Sequence, residues 1–197
     1  GLVDALAPML GETPKLAVIV LDLDHFSDIN DTLGHGVGDR VIDEVALRLV
    51  DAAEPGTLIA HLGGDQFALA LPKADRESIE RRVERITACF SKPVAVEGLS
   101  LHLGATLGAA LAPDHSDSAE ALLRHAESAM YRGKARRDGG LTLYDPASDH
   151  HSRQRLALMG ELRGAVERGE LQLYVQPKVH LGRGEVVGVE CLVRWRH

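Results

Sequence analysis

Residues 16–24, LAVIVLDLD, form a continuous apolar run rich in β-branched side chains that closes in two acids. A strand covered on both faces has this profile, so the run predicts a buried strand ending at a site. Over residues 36–53 the period changes. Val37, Val41, Ile42, Val45, Leu49 and Val50 recur at helical spacing with Asp39, Arg40, Asp43, Glu44 and Arg48 between them, and EPG then breaks the helix. TLIAHL and QFALAL flank GGD and read as a hairpin. Residues 75–90 predict a second amphipathic helix, with Ile79, Val83 and Ile86 inward. Residues 92–96 and 99–111 read as strands, Ser118 caps a helix running to about Arg136, and LTLY is a last strand. The order is β-α-β-β-α-β-β-α-β, an α/β (α+β) layout with an antiparallel hairpin in its middle.

Residues 145–154, DPASDHHSRQ, carry little hydrophobic content and read as a linker. A helix at about 155–168 and the strand-like LQLYVQP and EVVGVECLVRW then open a second unit. The domain assignment is 1–145, a linker at 146–154, and 155–197. Gly1 at the start and LVRWRH at the end read as a piece cut from a longer chain.

Composition narrows the function classes. The 197 residues are 45% hydrophobic but only 4% aromatic, so the core is built from Leu, Val, Ile and Ala. A formal charge of -7 argues against a partner that is a nucleic-acid polymer or an anionic membrane, though it leaves room for one phosphate site. Cys89 and Cys191 lie far apart without CxxC spacing, which fits a reduced, cytoplasmic compartment and neither a disulfide framework nor a zinc site. No apolar run approaches the ~20 residues of a membrane span.

Asp22 and Asp24 end the first strand and Asp65 tips the hairpin. If those strands are neighbours the acids converge, offering hard oxygen ligands of the kind that hold Mg²⁺ and its phosphates. Gly63 and Gly64 tolerate φ > 0 and let backbone N–H groups approach a phosphate closely. A plain turn and a solvated strand end are the alternative for each taken alone. An EF-hand at DLDHFSDIND fails because loop position 6 is Ser27, not Gly.

LDLDHFSDINDTLGHGVGDRVI followed by HLGGDQF resembles the GGDEF family, diguanylate cyclases that join two GTP molecules into cyclic di-GMP. The resemblance covers roughly residues 2–145 and implies a nucleotidyl-cyclase-like fold with a central, mostly antiparallel five-stranded sheet flanked by helices. It also implies Mg²⁺ (or Mn²⁺) held by Asp22, the Leu23 carbonyl and Asp65, and guanine read by Asn30 and Asp39. The resemblance makes Asp65 and the fourth signature position, Gln66, the expected catalytic pair, and assigns Gly63, Gly64, Lys134 and Arg137 to substrate binding. Phe26 and Ile29 read as core residues and His35 as a turn histidine. The resemblance further implies that each GTP is held by its own subunit, so cyclase activity is expected to need a homodimer.

The chain departs from the family around this site. Gln66 replaces Glu and loses a charge; a lost acid–base role costs ~10² to 10⁴ in rate, with binding hurt less. Ser27 stands where Lys is usual. In KARRD, Lys134 agrees, Arg137 replaces Gly and Asp138 replaces Arg, and a one-residue shift lets Arg136 or Arg137 supply the missing contact. Glu54 and Thr57 occupy the inhibitory Arg-x-x-Asp positions, and His61 replaces a common Arg. The domain is thus expected to be a weakly active cyclase or a GTP-binding regulator of an attached phosphodiesterase. A dimerisation scaffold without catalysis is the alternative.

Residues 161–197 resemble the start of an EAL domain, the phosphodiesterase that opens cyclic di-GMP. Glu190-Cys191-Leu192 is similar to its Glu-Ala-Leu signature. By that resemblance Glu190 matches a metal ligand, Arg194 a phosphate contact and Gln176 a groove residue. The family fold is a (β/α)₈ barrel of about 250 residues, so only an incomplete TIM-barrel start is expected, with strands prone to aggregate.

Overall fold

The computed structural model describes residues 1–13, 15–136, 140–147, 161, 164–166 and 168–196. The chain divides into two units, Gly1–Pro146 and Ala147–His197.

The first unit is built on strand β1 (Leu16–Asp24). It is central in a five-stranded sheet of order β2-β3-β1-β6-β7, with β2 at Leu58–Gly63, β3 at Gln66–Pro72, β6 at Gly104–Ala112 and β7 at Gly140–Leu143. Only the β6–β7 pair is parallel, so the sheet is mixed but mostly antiparallel. The continuous apolar run of β1 has its reason in two cores. Ala17, Ile19, Leu21 and Leu23 face α3 (His35–Ala52) and α4 (Ile79–Thr87), whereas Leu16, Val18 and Val20 face α1 (Leu2–Glu12) and α5 (Ala119–Arg136). Asp22 continues the second set, which points it toward the α5 side.

Small residues let α5 lie close to the sheet. A Cβ on Gly108 of β6 would fall 2.1 Å from Met130 N and 2.2 Å from Ala126 O, so only glycine fits there.

Several elements differ from the sequence expectation. α1 was not expected, because Pro8 inside it interrupts the helical signal. Helix α2 (Phe26–Leu33) precedes α3, and Gly34 at φ 86 turns the chain between them. The expected helix at 75–90 begins later, since residues 75–78 form a turn in which Asp75 Oδ1 accepts from Ser78 N and Ser78 Oγ accepts from Asp75 N, both at 3.0 Å. A short 3₁₀ turn, Ala88–Phe90, closes it. The single strand expected at 99–111 is two, β5 (Leu99–Leu101), paired with β4 (Val94–Val96), and β6.

In the second unit β8 (Leu171–His180) and β9 (Glu185–Trp195) pair antiparallel. Leu173, Val175, Val187 and Val193 on this hairpin remain exposed, and Trp195 Nε1 donates to Glu170 Oε2 at 3.1 Å. Most of the expected linker and of the helix at 155–168 lies outside the described residues.

Candidate functional site

The β2–β3 hairpin and the end of β1 meet as the acids require. Gly63 (φ 114) and Gly64 (φ 60) carry the chain through backbone angles that side chains disfavour. The Asp65 carbonyl accepts from Leu23 N at 3.1 Å, and the register sets Asp22 directly opposite Gln66. The hairpin tip is therefore tied to the strand end by backbone, not by side chains alone.

Asp22 is 3% exposed and has two side-chain partners: Gln66 Nε2 donates to its Oδ2 at 2.9 Å, and the Lys134 ammonium, from the last turn of α5, pairs with its Oδ1. Asp65 is half-buried. Burial first, and then the negative charge of Asp22, push its carboxyl above the ordinary range, while Lys134 pulls it partly back. Two neighbouring carboxylates form a donor set suited to a hard divalent cation, and the Leu23 backbone is tied to the Asp65 carbonyl beside them.

Asp24, expected with them, is committed elsewhere: Thr106 Oγ1 donates to its Oδ1 at 2.8 Å. Among the described residues no group of three or more His, Cys, Asp or Glu side chains assembles into a metal cluster. The position from which a third acid would come is held by Gln66.

Asn30 in α2 packs on Gly38 of α3, next to the exposed Asp39, so both residues of the expected base-reading pair sit at the α2–α3 joint. Phe26 is buried and Ile29 packs against the core, as expected. His61 Nε2 lies 3.0 Å from the Gly64 carbonyl, so the residue in the usual Arg place holds the loop. Glu54 pairs with Arg82 and Arg85, each at 2.8 Å. Ser27 is exposed. Arg137 and Asp138 lie outside the described residues. A groove of ≈ 410 Å³ between α2 and the segment 99–103 is lined by Asp24, Asp28, Ile29, Leu101 and Leu103, and of the acids expected at the site it takes in Asp24 but neither Asp22 nor Asp65.

In the second unit, Gln176 and Glu190 are cross-strand neighbours, Arg194 opposes Gln172, and Lys178 Nζ lies 3.9 Å from Glu190. All three expected site residues are exposed.

Lys134 meeting Asp22 was not expected from the sequence, which assigned each to a different task. No local signal joins residues on β1 and the end of α5.

A mixed five-stranded sheet with flanking helices and a glycine hairpin beside a strand ending in acids defines a nucleotidyl-cyclase-like domain. Residues 4–139 match the family described as "Diguanylate cyclase, GGDEF domain", and the chain belongs to that family. A requirement for a divalent metal is general to it. The GGDEF domain of YfiN (TpbB) from Pseudomonas aeruginosa superposes with a TM-score of 0.72 at 34% identity, covering 77% of this chain and 91% of that one. The GGDEF domain of DgcB from Caulobacter crescentus, solved in complex with c-di-GMP, gives 0.63 at 27% identity, covering 72% and 85%. Among curated proteins, the chain is 32% identical over 98% of its length to the bifunctional diguanylate cyclase/cyclic di-GMP phosphodiesterase MucR of Pseudomonas aeruginosa. It is also 32% identical over 92% of its length to the cyclic di-GMP phosphodiesterase PdeR of Escherichia coli. It spans only 28% and 27% of those two relatives. No described helix is long and apolar enough to cross a membrane.

Proposed function

We propose that residues 1–145 bind GTP with Mg²⁺ (or Mn²⁺) in the cytoplasm, with cyclase turnover far below that of a domain with Glu at position 66. The main task of the domain is then to report GTP to a phosphodiesterase that follows it. The observation that carries this reading is the Gln66 amide donating to Asp22 at 2.9 Å. A carboxylate in that place would add a third acid to the site; the amide instead adds no charge and donates a hydrogen bond to the Asp22 carboxylate.

Asn30 donates to the guanine O6 and Asp39 accepts from the ring N–H and exocyclic amine, a complementarity adenine lacks. Gly63 and Gly64 bring backbone N–H groups to the phosphates, and Lys134 with Arg137 supplies positive charge. Asp22, the Leu23 carbonyl and Asp65 would hold the metal, which when bound neutralises and aligns phosphate oxygens. In turnover the 3′-hydroxyl oxygen of one GTP attacks the α-phosphorus of the other and pyrophosphate leaves, with the hydroxyl proton passing to solvent because Gln66 cannot accept it. The two nucleotides sit on two copies of the chain, so a homodimer is required.

Residues 155–197 are proposed to open an EAL domain, with Glu190 at a metal position, Arg194 at a phosphate and Gln176 in the groove. A GTP-bound neighbour shifts such a domain only through differential affinity for its two states. A second reading, a dimerisation scaffold without nucleotide, is favoured by one observation: Asp22 already has both Lys134 and Gln66 as partners.

Titration calorimetry with GTP and Mg²⁺ separates the two, since a scaffold gives no heat. Overnight incubation with GTP followed by chromatography for cyclic di-GMP then measures turnover. The Gln66→Glu variant is expected to raise the yield, and an unchanged yield counts against the role given to Gln66.

A further inference from the structure

Asn30 reaches from α2 across the Gly34 turn and lays its carboxamide on α3 at residue 38. Its Oδ1 is buried and has no hydrogen-bond partner among the described residues. The oxygen can lie there only because residue 38 has no side chain. A Cβ at Gly38 would stand 2.0 Å from Asn30 Oδ1, 3.0 Å from its Cγ and 3.1 Å from Phe26 Cζ.

Other reasons for a glycine at this position fail. Gly38 is buried near the start of an 18-residue helix, and its φ is not in the left-handed region. Inside a helix glycine is a poorer choice than alanine, so neither backbone conformation nor helix propensity accounts for it. The close approach of Asn30 does. With its oxygen buried over Gly38, the direction of the carboxamide nitrogen is set.

We propose that Gly38 is a positioning residue for base selection: the space it leaves holds the Asn30 carboxamide in the orientation that prefers a 6-oxopurine to a 6-aminopurine. The inference rests on the reading of Asn30 and Asp39 as the guanine-binding pair. A side chain at 38 displaces the amide toward solvent, because Asn30 is only half-buried and can rotate away while the helices stay packed. Selectivity is then lost without loss of the fold.

The test is a double-mutant cycle on the full chain. GTP and ATP binding with Mg²⁺ are measured by calorimetry for wild type, Gly38→Ala, Asn30→Ala and the double variant, alongside thermal melts. Gly38→Ala is expected to weaken GTP binding tenfold or more and narrow the GTP:ATP ratio, with a melting temperature at or above that of wild type. The double variant is expected to bind no more weakly than Asn30→Ala. Wild-type GTP affinity in Gly38→Ala, or additive losses in the double variant, overturns the proposal. A wild type that takes up no GTP overturns the guanine-site reading itself. If Gly38→Ala alone unfolds, refolding in the double variant supports the clash with Asn30, and failure to refold overturns it.

Discussion

Gln66 faces Asp22 across the β1–β3 pair and donates its side-chain amide to the Asp22 carboxylate at 2.9 Å. With the Lys134 ammonium beside the other oxygen, this nearly fully buried acid is held by one hydrogen bond and one ion pair. A divalent cation must therefore compete with Lys134 and Gln66 for Asp22.

Exchanging Gln66 for Glu removes that donor and sets a like charge opposite Asp22. In chelator the variant is expected to lose about 2 kcal/mol, the usual value of a hydrogen bond to a charged group. Mg²⁺ should restore the loss, and turnover should rise on the order of 10²-fold. Denaturant melts with and without the metal, and product chromatography, check both.

Lys134→Met keeps the stem of the side chain and removes its charge. Asp22 is left with one partner in a buried place, so stability in chelator is expected to fall by about 2 kcal/mol; the exposure of Lys134 keeps the loss below that for a fully buried pair. Mn²⁺ should offset it more than in wild type, which thermal melts across a Mn²⁺ series will read.

Gly108→Val drives a branched side chain into the α5 backbone at Ala126 and Met130. Backbone cannot rotate aside as a side chain can, so the expected loss exceeds about 3 kcal/mol. Urea unfolding followed by circular dichroism measures it.

His115 Nδ1 accepts from Leu111 N at 3.0 Å, which requires that nitrogen to be unprotonated. Burial foremost lowers the His115 pKa, helped by Arg76 and His125 and opposed by Asp114 and Asp145. A folded pKa below the unfolded 6.5 means the unfolded chain takes up the proton first. Stability is therefore full above pH 6.5 and declines as pH falls below it. His115→Asn offers an oxygen in place of Nδ1, and its melting temperature is expected to change less than that of wild type between pH 7 and 5.

Strand β1, the hairpin, α3 and α5 were legible because each carries its own period or turn chemistry. The joint pattern LDLDHFSDIN and GGDQF was enough to point to the family. Helix α1 was not legible because Pro8 obscures its periodicity, and the start of α4 was misplaced because the reciprocal Asp75–Ser78 hydrogen bonds form a turn where composition suggests helix. The convergence of Asp22 and Asp65 was foreseen. The diversion of Asp24 to Thr106 was not.

The sequence by itself determined β1, the β2–β3 hairpin, α3 and α5, which acids end β1, and that a neutral amide stands at position 66, since these depend on neighbours within a few residues. Only the tertiary structure decided that Lys134 closes on Asp22, that Asn30 rests on Gly38, and that Gly108 admits α5. Such contacts join elements far apart along the chain, and sheet register and helix packing distance set them through the exclusion of one atom by another.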